Sequence, residues 1–340
     1  MFDTAETSRR ESSPEIPTTL DGIRAPVSEE LDRFQEVFRD TMRSENSRLL
    51  NHISRYVHKQ KGKQIRPLLV LLSAKLCGSV TPATYHGASL VELLHTATLV
   101  HDDVVDRAER RRGVFSINAL WKNKVSVLFG DFLLSRGLLL ALDEEQYELL
   151  QVVSDAVRRM SEGELLQIEK SRKLNIDEET YFRIISDKTA SLFSACMQCG
   201  AVSATDDPEA QDRLREIGET LGLAFQIRDD LFDYGLDDVG KPLGIDIQDK
   251  KMTLPLIAAL REAPTGRRRK VIRIVKKDEK DADDIETVNA FVREFDGIGY
   301  ARSEMNELAE EAWAMLEEFA PSPAKNALLG LVEFTVTRSR

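Results

Sequence analysis

The stretch "HGASLVELLHTATLVHDDVVD" at residues 86–106 ends in three aspartates, Asp102, Asp103 and Asp106. Apolar residues precede them at positions 90, 93, 94, 97 and 100, which is the spacing of one face of an α-helix. Because residues four apart share a face, Asp102 and Asp106 are neighbours on this helix. The segment therefore predicts a core helix that carries a cluster of carboxylates.

A second segment, "FQIRDDLFD" at 225–233, repeats this spacing with Asp229, Asp230 and Asp233. Like charges four residues apart destabilise a helix by roughly 0.2–0.5 kcal/mol per pair, and carboxylates among apolar residues resist desolvation. Mg²⁺ can offset both costs, since it takes oxygen ligands and is typically held by one or two carboxylates plus substrate phosphates. One such cluster is typical of a solvated helix end, but two predict a rim that holds a metal-bound diphosphate.

Polar residues near the two clusters fit an anion site. His95 lies two turns before Asp102 on the same stripe, and Gln226 has a similar place before Asp229. Taken alone, a histidine there is typical of a satisfied core residue, and basic residues are typical of solvated loops. Beside a metal rim, arginine forks and lysine point charges suit phosphate oxygens. The basic residues concerned are Lys63, Arg66, Arg110, Arg111 and Arg112.

The composition fits a soluble, helical chain. The 340 residues are 42% hydrophobic and 31% charged, which allows one large helical domain or two smaller ones. Only 18 glycines and 11 prolines are present, so long helices can run uninterrupted. The formal net charge of −11 argues against a general binder of nucleic acid or anionic membranes.

The cysteines and the N-terminus indicate a cytoplasmic protein. Cys196 and Cys199 form a CxxC in an apolar stretch, which predicts core thiols and a reducing compartment. Residues 1–24 lack the apolar segment of a signal peptide and predict a flexible arm before a domain at 25–340. No run is expected to reach the length that spans a bilayer, so we expect no stable membrane insertion.

Helical periodicity dominates from about residue 28 onward, and sustained alternation typical of strands is missing. Asp143, Asp177 and Asp207 each precede a helical pattern and are predicted N-caps. The prediction is an all-α fold, a single large helical bundle around a central cavity.

At this point the sequence resembles a known family, the trans-type isoprenyl diphosphate synthases or polyprenyl synthetases, over about residues 25–338. Six motifs in this order make the resemblance specific. They are "GKQIRP" at 62–67, "LVHDDVVD" at 99–106, "RRG" at 111–113, "DKTA" at 187–190, "FQIRDDLFD" at 225–233 and "GKPLGIDIQDKKMTLP" at 240–255.

The resemblance implies the isoprenoid synthase fold and a prenyltransferase reaction. Isopentenyl diphosphate would condense with an allylic diphosphate by ionisation, condensation and elimination. Mg²⁺ would be required, with three ions per active site when diphosphate is bound. A homodimer through the central helices is also implied.

Roles for individual residues follow from the same resemblance. The two aspartate clusters and Lys188 would form the catalytic set, with metal bound by Asp102, Asp103, Asp106, Asp229 and Asp233. Arg111 would contact the allylic diphosphate with help from Lys188, Thr189, Gln226, Lys241 and Lys251. Isopentenyl diphosphate would be held by Lys63, Arg66, His95 and Arg112. The run Asp249-Lys250-Lys251 departs from the family pattern, and alignment on "TLP" favours Lys251 as the phosphate ligand.

The family's product grows down a tunnel whose floor lies one turn before the first cluster, here Ala97 and Thr98. Short-chain members carry an aromatic residue nearby, so small residues predict a medium- or long-chain all-trans product, with quinone side chains as a use. A farnesyl or geranylgeranyl diphosphate synthase is the nearest alternative, followed by a non-catalytic regulatory subunit of a heteromeric synthase. A terpene cyclase is disfavoured because it lacks the second cluster and the Lys63/Arg66 pair.

Replacing Ala97 with Tyr should shorten the main product, because one helical turn is about 5.4 Å and an aromatic ring there closes the tunnel beneath the rim. Chromatography of the products by chain length tests this expectation. An unchanged length in an active variant would refute the assignment of the floor.

Overall fold

The computed structural model describes residues 16–60, 62–111, 113–173, 176–235 and 244–337. Two predicted site residues, Arg112 and Lys241, lie outside the described residues. Most of the predicted arm, residues 1–15, also lies outside them. Residues 20–24 of that arm form a short helix whose Ile23 is fully buried, so this end of the arm is packed on the domain.

The described residues are mainly helical, which confirms the all-α prediction. The first group of α-helices is α1 (Leu20–Arg24), α2 (Ser28–Thr41), α3 (Arg48–Lys59), α4 (Ile65–Cys77), α5 (Pro82–Val105), α6 (Ile117–Asp143) and α7 (Tyr147–Lys173). The second group is α8 (Glu178–Ile185), α9 (Ser191–Val202), α10 (Pro208–Phe232), α11 (Ile245–Gln248), α12 (Leu254–Glu262), α13 (Thr265–Val275), α14 (Ala282–Glu294), α15 (Gly297–Glu317) and α16 (Pro323–Thr337). A 3₁₀-helix covers Ala25–Val27, and a π-helix covers Ser186–Ala190 between α8 and α9. Two short antiparallel strands, β1 (Arg110–Arg111) and β2 (Val114–Phe115), form a hairpin after α5.

Two adjoining hydrophobic clusters form the core. The first surrounds α4, in which residues 67–74 are all buried, together with α5 and α9. The second lies among α8, α10, α12, α14 and α15. Helix α4 packs closely on α9 because Gly200 has no side chain, and a Cβ there would lie 2.3 Å from the carbonyl oxygen of Val70. Helix α10 takes part in both clusters, so its C-terminal end has a fixed place relative to α5.

Both cysteines of the CxxC lie in the core on α9, as the sequence predicts. The side chains of Cys196 and Cys199 are fully buried. Burial raises the pKa of Cys199 from 9.0 to about 12, so its thiol stays protonated. The pair therefore serves packing, since a metal ligand or a nucleophile needs the thiolate.

Two of the three predicted N-caps are confirmed. The side chains of Asp177 and Asp207 accept hydrogen bonds from the backbone N–H groups of Thr180 and Glu209, at 2.9 and 3.0 Å. The prediction for Asp143 is wrong, because Asp143 is the last residue of α6. Glu145 then takes a left-handed φ of 54°, which turns the chain before α7 begins.

Helix α6 contradicts the expectation that no segment reaches the length that spans a bilayer. By length and composition it is long and apolar enough to cross a membrane, although we expected no such segment. One side of α6 is buried against the bundle, including Phe129 and Leu133, while its other side is exposed. The exposed apolar residues are Leu120, Val127, Leu128, Leu138, Leu139 and Leu142. We call these six residues the α6 face.

Candidate active site

Each aspartate cluster occupies the C-terminal end of a long helix. Asp106 is the C-cap of α5, and Asp233 is the C-cap of α10. The C-terminus of a helix carries a negative partial charge of about half an elementary charge, which disfavours carboxylates there. Three aspartates on such an end therefore create a strongly negative site, and cations must compensate it.

The two clusters share a pattern of exposure that follows from their identical spacing. The middle aspartates, Asp103 and Asp230, are buried, with 3% and 6% of their surface exposed. The outer pair of the first cluster is exposed, and Asp229 and Asp233 are half-buried. Each helix end thus presents two accessible carboxylates one turn apart.

In the first cluster, Arg111 of β1 compensates the charge of the buried Asp103. Its Nε donates a hydrogen bond of 2.8 Å to Asp103 Oδ1, so the β1–β2 hairpin is tied to the end of α5. Partial burial, then the charges of Glu164 and Asp106, raise the pKa of the Asp102 carboxyl, while Lys188 and Arg111 oppose this shift. Asp102 therefore lies within electrostatic reach of α7 and the π-helix.

In the second cluster, a chain of hydrogen bonds holds the buried aspartate. Thr189 Oγ1 donates to Gln226 Oε1 at 2.8 Å, and Gln226 Nε2 donates to Asp230 Oδ1 at 2.8 Å. Tyr181 Oη donates to Asp230 Oδ2 at 2.7 Å. Burial raises the pKa of Asp230 to about 7 despite these two bonds. Both oxygens of Asp230 are thus engaged inside the protein, and Asp230 is buried, whereas Asp229 and Asp233 are only half-buried.

Asp233 organises the segment that follows. Its two carboxylate oxygens accept hydrogen bonds from the backbone N–H groups of Ile245 and Asp246, at 2.9 and 3.0 Å. Lys251 Nζ then donates to Asp246 Oδ1 at 3.0 Å. Lys250, whose φ is 60°, instead pairs with Asp278. Lys251 lines the large cavity and Lys250 does not, while the role of Lys251 as a phosphate ligand stays a prediction.

Lys188 of the π-helix connects the surroundings of both clusters. Its Nζ donates to Gln167 Oε1 of α7 at 3.0 Å and also pairs with Glu164 on the same helix. Its charge acts on Asp102, and its side chain lines the same cavity as Asp229. One ammonium group thus acts electrostatically on the first cluster and lines the cavity of the second.

Two neighbouring cavities collect most of the predicted residues. The larger, about 740 Å³, is lined by the second cluster together with Lys63, Arg66, Lys188, Thr189, Gln226 and Lys251. The smaller, about 100 Å³, is lined by His95, Asp103 and Arg111. Gly62 and Gln64, just before α4, line both cavities, so the two share a wall.

Ala97 and Thr98, the two residues predicted to set product length, do not belong to the linings of the two cavities. Ala97 is fully buried in the core, and Thr98 is partly buried with its hydroxyl donating to the His95 carbonyl at 2.8 Å. Neither residue lines the two cavities described above. Their role in setting product length stays a prediction.

Sequence reasoning missed several residues that shape the site. Tyr181 gives no motif of its own, and only the packing of α8 against α10 brings its hydroxyl to Asp230. Asp246 lies inside a quoted motif, but its ion pair with Lys251 depends on the turn at Gly244. Glu164 and Gln167 share one face of α7 at a spacing of three, a weak signal without knowledge of Lys188.

The donor set fits a hard divalent cation held jointly with phosphate. Accessible carboxylates at two negative helix ends are the oxygen ligands that Mg²⁺ prefers. Among the described residues, no group of three or more carboxylate, imidazole or thiol side chains converges as a complete protein cage. Substrate oxygens and waters would therefore complete the coordination, which is the usual arrangement for Mg²⁺.

Comparison with known proteins identifies the family. The polyprenyl synthetase family model matches residues 47–292. The octaprenyl diphosphate synthase of Escherichia coli is 37% identical over 294 residues, which cover 86% of this chain and 91% of the relative. The chain belongs to the polyprenyl synthetase family and is by that membership a prenyltransferase, as the sequence predicts.

Solved structures agree with the isoprenoid synthase fold. A decaprenyl diphosphate synthase from Rhodobacter capsulatus superposes with a TM-score of 0.90 at 33% identity, over 95% of this chain and all of that one. A polyprenyl synthase from Caulobacter crescentus, complexed with calcium and isoprenyl diphosphate, gives a TM-score of 0.87 at 32% identity, over 96% of this chain and all of that one.

Replacing Tyr181 with Phe should lower the free energy of unfolding by about 1–3 kcal/mol, because a buried carboxylate loses a hydrogen-bond donor. Tyr234→Phe is the matched control, since the Tyr234 hydroxyl is equally buried but bonds only the neutral Thr253, at 2.9 Å. Denaturant unfolding of both variants measures the difference. Equal losses would contradict a special role for the Asp230 bond.

Proposed function

We propose that this protein is a Mg²⁺-dependent trans-prenyltransferase that condenses isopentenyl diphosphate with an allylic diphosphate to make a medium- or long-chain all-trans polyprenyl diphosphate. The observation that carries the proposal is the pair of aspartate clusters at two helix C-termini, with Lys188 acting electrostatically on the first and lining the cavity of the second. This arrangement suits a diphosphate leaving group bound together with divalent ions.

The accessible carboxylates Asp102, Asp106, Asp229 and Asp233 are the proposed metal ligands. Asp103 is also a predicted ligand, and it would have to exchange its bond with Arg111. Bound Mg²⁺, three ions in the expected complex, supplies the charge neutralisation that allows the allylic carbon–oxygen bond to ionise. The calcium and isoprenyl diphosphate in the Caulobacter crescentus structure support a divalent-ion site in this family.

The protein's own side chains bind and orient the two substrates. Lys188, Thr189, Gln226 and Lys251 line one cavity and would bind oxygens of the allylic diphosphate, with Arg111 reaching it from the neighbouring cavity. Isopentenyl diphosphate is assigned to Lys63 and Arg66 at the entrance of α4, together with His95 and Arg112. Lys241 completes the set that is assigned to the allylic diphosphate.

The walls of the large cavity also position the substrates and exclude water. Apolar side chains of the large cavity, among them Phe193, Phe225 and Ile184, exclude water from a reactive carbocation. Isopentenyl diphosphate, held beside the ionising carbon, attacks through its double bond and then loses a proton to the released diphosphate. No nucleophilic side chain is required, so fixed charge and orientation supply the catalysis.

A long product is proposed because Ala97 and Thr98 are small and because octaprenyl and decaprenyl synthases are among the relatives. A short-chain synthase remains the second candidate, since relatives of that class also match the chain. Incubating the purified protein with farnesyl diphosphate, isopentenyl diphosphate and Mg²⁺, and resolving the products by length, decides between them. A protein with no condensation activity on any allylic primer would contradict the proposed function and favour a regulatory subunit.

We further propose a cytoplasmic homodimer in which a second copy covers the α6 face. The helix spans 27 residues with a kink at Lys122, and only one side of it is exposed. A bilayer would surround the helix with lipid, whereas its other side already packs on α5. A symmetric contact between two copies of α6 buries the exposed leucines without moving the core.

Replacing Asp102 or Asp229 with Ala should lower turnover by roughly three orders of magnitude, since each loses several kcal/mol of charge stabilisation in the transition state. Steady-state condensation assays with Mg²⁺ test this. Asp212→Ala is the matched control, because Asp212 lies on α10 with a side chain that is 69% exposed. Near-normal rates in the Asp102 and Asp229 variants would sink the metal assignment.

Replacing Leu128 and Leu139 together with Glu should convert the dimer to monomers, because two buried charges would oppose each other across the contact. Analytical ultracentrifugation gives the mass. Leu49→Glu on α3 serves as control, since Leu49 is 48% exposed and is not one of the six residues of the α6 face. A wild-type monomer, or a variant that stays dimeric, would contradict the assignment.

A further inference from the structure

The π-helix Ser186–Ala190 carries Lys188 and Thr189. Its winding differs from that of α8 and α9, the two α-helices that it joins. A π-helix is rare, and such turns occur frequently at functional sites. Here it begins directly after α8 and ends directly before α9, so it rotates these two side chains relative to both helices. Both of them line the large cavity.

Two helices hold the π-helix by close backbone contact. A Cβ on Gly163 of α7 would lie 2.9 Å from the backbone nitrogen of Lys188. On the other side, a Cβ on Gly222 of α10 would lie 2.5 Å from Cα of Ala190. Glycine at both positions lets α7 and α10 approach the π-helix more closely than any other residue would allow.

One arginine joins all three elements. Arg159, one turn before Gly163 on α7, donates through Nε to Asp187 Oδ1 at 2.9 Å. Its two terminal nitrogens donate to both carboxylate oxygens of Glu219 on α10, at 2.7 and 3.1 Å. One of them also donates to the hydroxyl of Ser186 at 2.7 Å. The side chains of Arg159, Asp187 and Glu219 are only 20–24% exposed.

The charges of Arg159, Asp187 and Glu219 make their contact important for the position of the π-helix. Asp187 and Glu219 would repel each other without the guanidinium between them, and Asp187 immediately precedes Lys188. None of Arg159, Asp187 and Glu219 lines the cavity that Lys188 and Thr189 line. The cluster therefore acts on the site only through the backbone of the π-helix and through the chain from Thr189 to Gln226 and Asp230.

We propose that Arg159 is a positioning residue for the prenyl transfer, which fixes the π-helix so that Lys188 and Thr189 meet the allylic diphosphate. This inference rests on the proposed function. It assigns no contact between Arg159 and substrate. It predicts a defect confined to the allylic substrate, because Lys63 and Arg66 lie at the entrance of α4 and do not depend on the π-helix.

Arg159→Gln should lower kcat/KM for farnesyl diphosphate by roughly 10- to 100-fold, the effect of a misplacement of about 1 Å, with little change in KM for isopentenyl diphosphate. Arg158→Gln is the matched control. Arg158 is the adjacent residue, it is exposed, and it pairs only with Asp155 and Glu162 of its own helix. Arg159→Lys should restore part of the activity by keeping one ion pair.

A double-mutant cycle separates positioning from general destabilisation. In a Lys188→Met background, Arg159→Gln should cause a smaller loss than in the wild type, because one of the two side chains that it positions is already gone. If Arg159→Gln folds poorly, Glu219→Gln replaces it, and it should give a smaller loss of the same kind with unchanged thermal unfolding.

Wild-type kinetics in the Arg159→Gln and Glu219→Gln variants, equal effects on both substrates, or losses that multiply with Lys188→Met would overturn the inference. Wild-type protein that condenses no primer would instead remove the proposed function itself. The two failures are therefore distinguishable.

Discussion

Negative charge concentrated at the C-terminal ends of α5 and α10 is the constraint on which the rest of the site depends. Each end adds three carboxylates to the negative pole of a helix. The protein compensates part of this charge itself, with Arg111 on Asp103 and with hydrogen bonds from Tyr181 and Gln226 on Asp230. The outer carboxylates keep their charge accessible, and this residual charge is what a divalent ion can use.

The cations of the site come from elements that surround the two aspartate clusters. Lys188, Lys251 and Arg111 each reach the site from a different element, and each is already held by a carboxylate or an amide. Side chains held in this way lose little freedom when a diphosphate replaces the carboxylate. The π-helix and the turn at Gly244 are thus part of the site's preorganisation, although neither carries an aspartate of the clusters.

Packing also explains the two features that fall outside the site. The CxxC lies in the core of α9, where burial keeps its thiols protonated. Helix α6 satisfies the composition of a membrane span, but one side of it packs on α5, which leaves the apolar residues of its other side exposed. Composition alone could not separate these cases, because it does not record which side of a helix is buried.

The sequence by itself determined the all-α class, the two helices that carry the aspartates, and the family, because helical periodicity and ordered motifs are local properties of the chain. The sequence also favours Lys251 over Lys250 as the phosphate ligand, which stays a prediction. It could not predict the burial of Asp103 and Asp230, the bond from Tyr181, or the cluster of Arg159, Asp187 and Glu219, since those contacts join residues from different helices. It misplaced Asp143, whose helix ends where a start was expected, because an aspartate is compatible with either end until the following turn is known. Only the tertiary structure decides which polar groups face each other, because that depends on how closely glycines such as Gly163 and Gly222 let the helices approach.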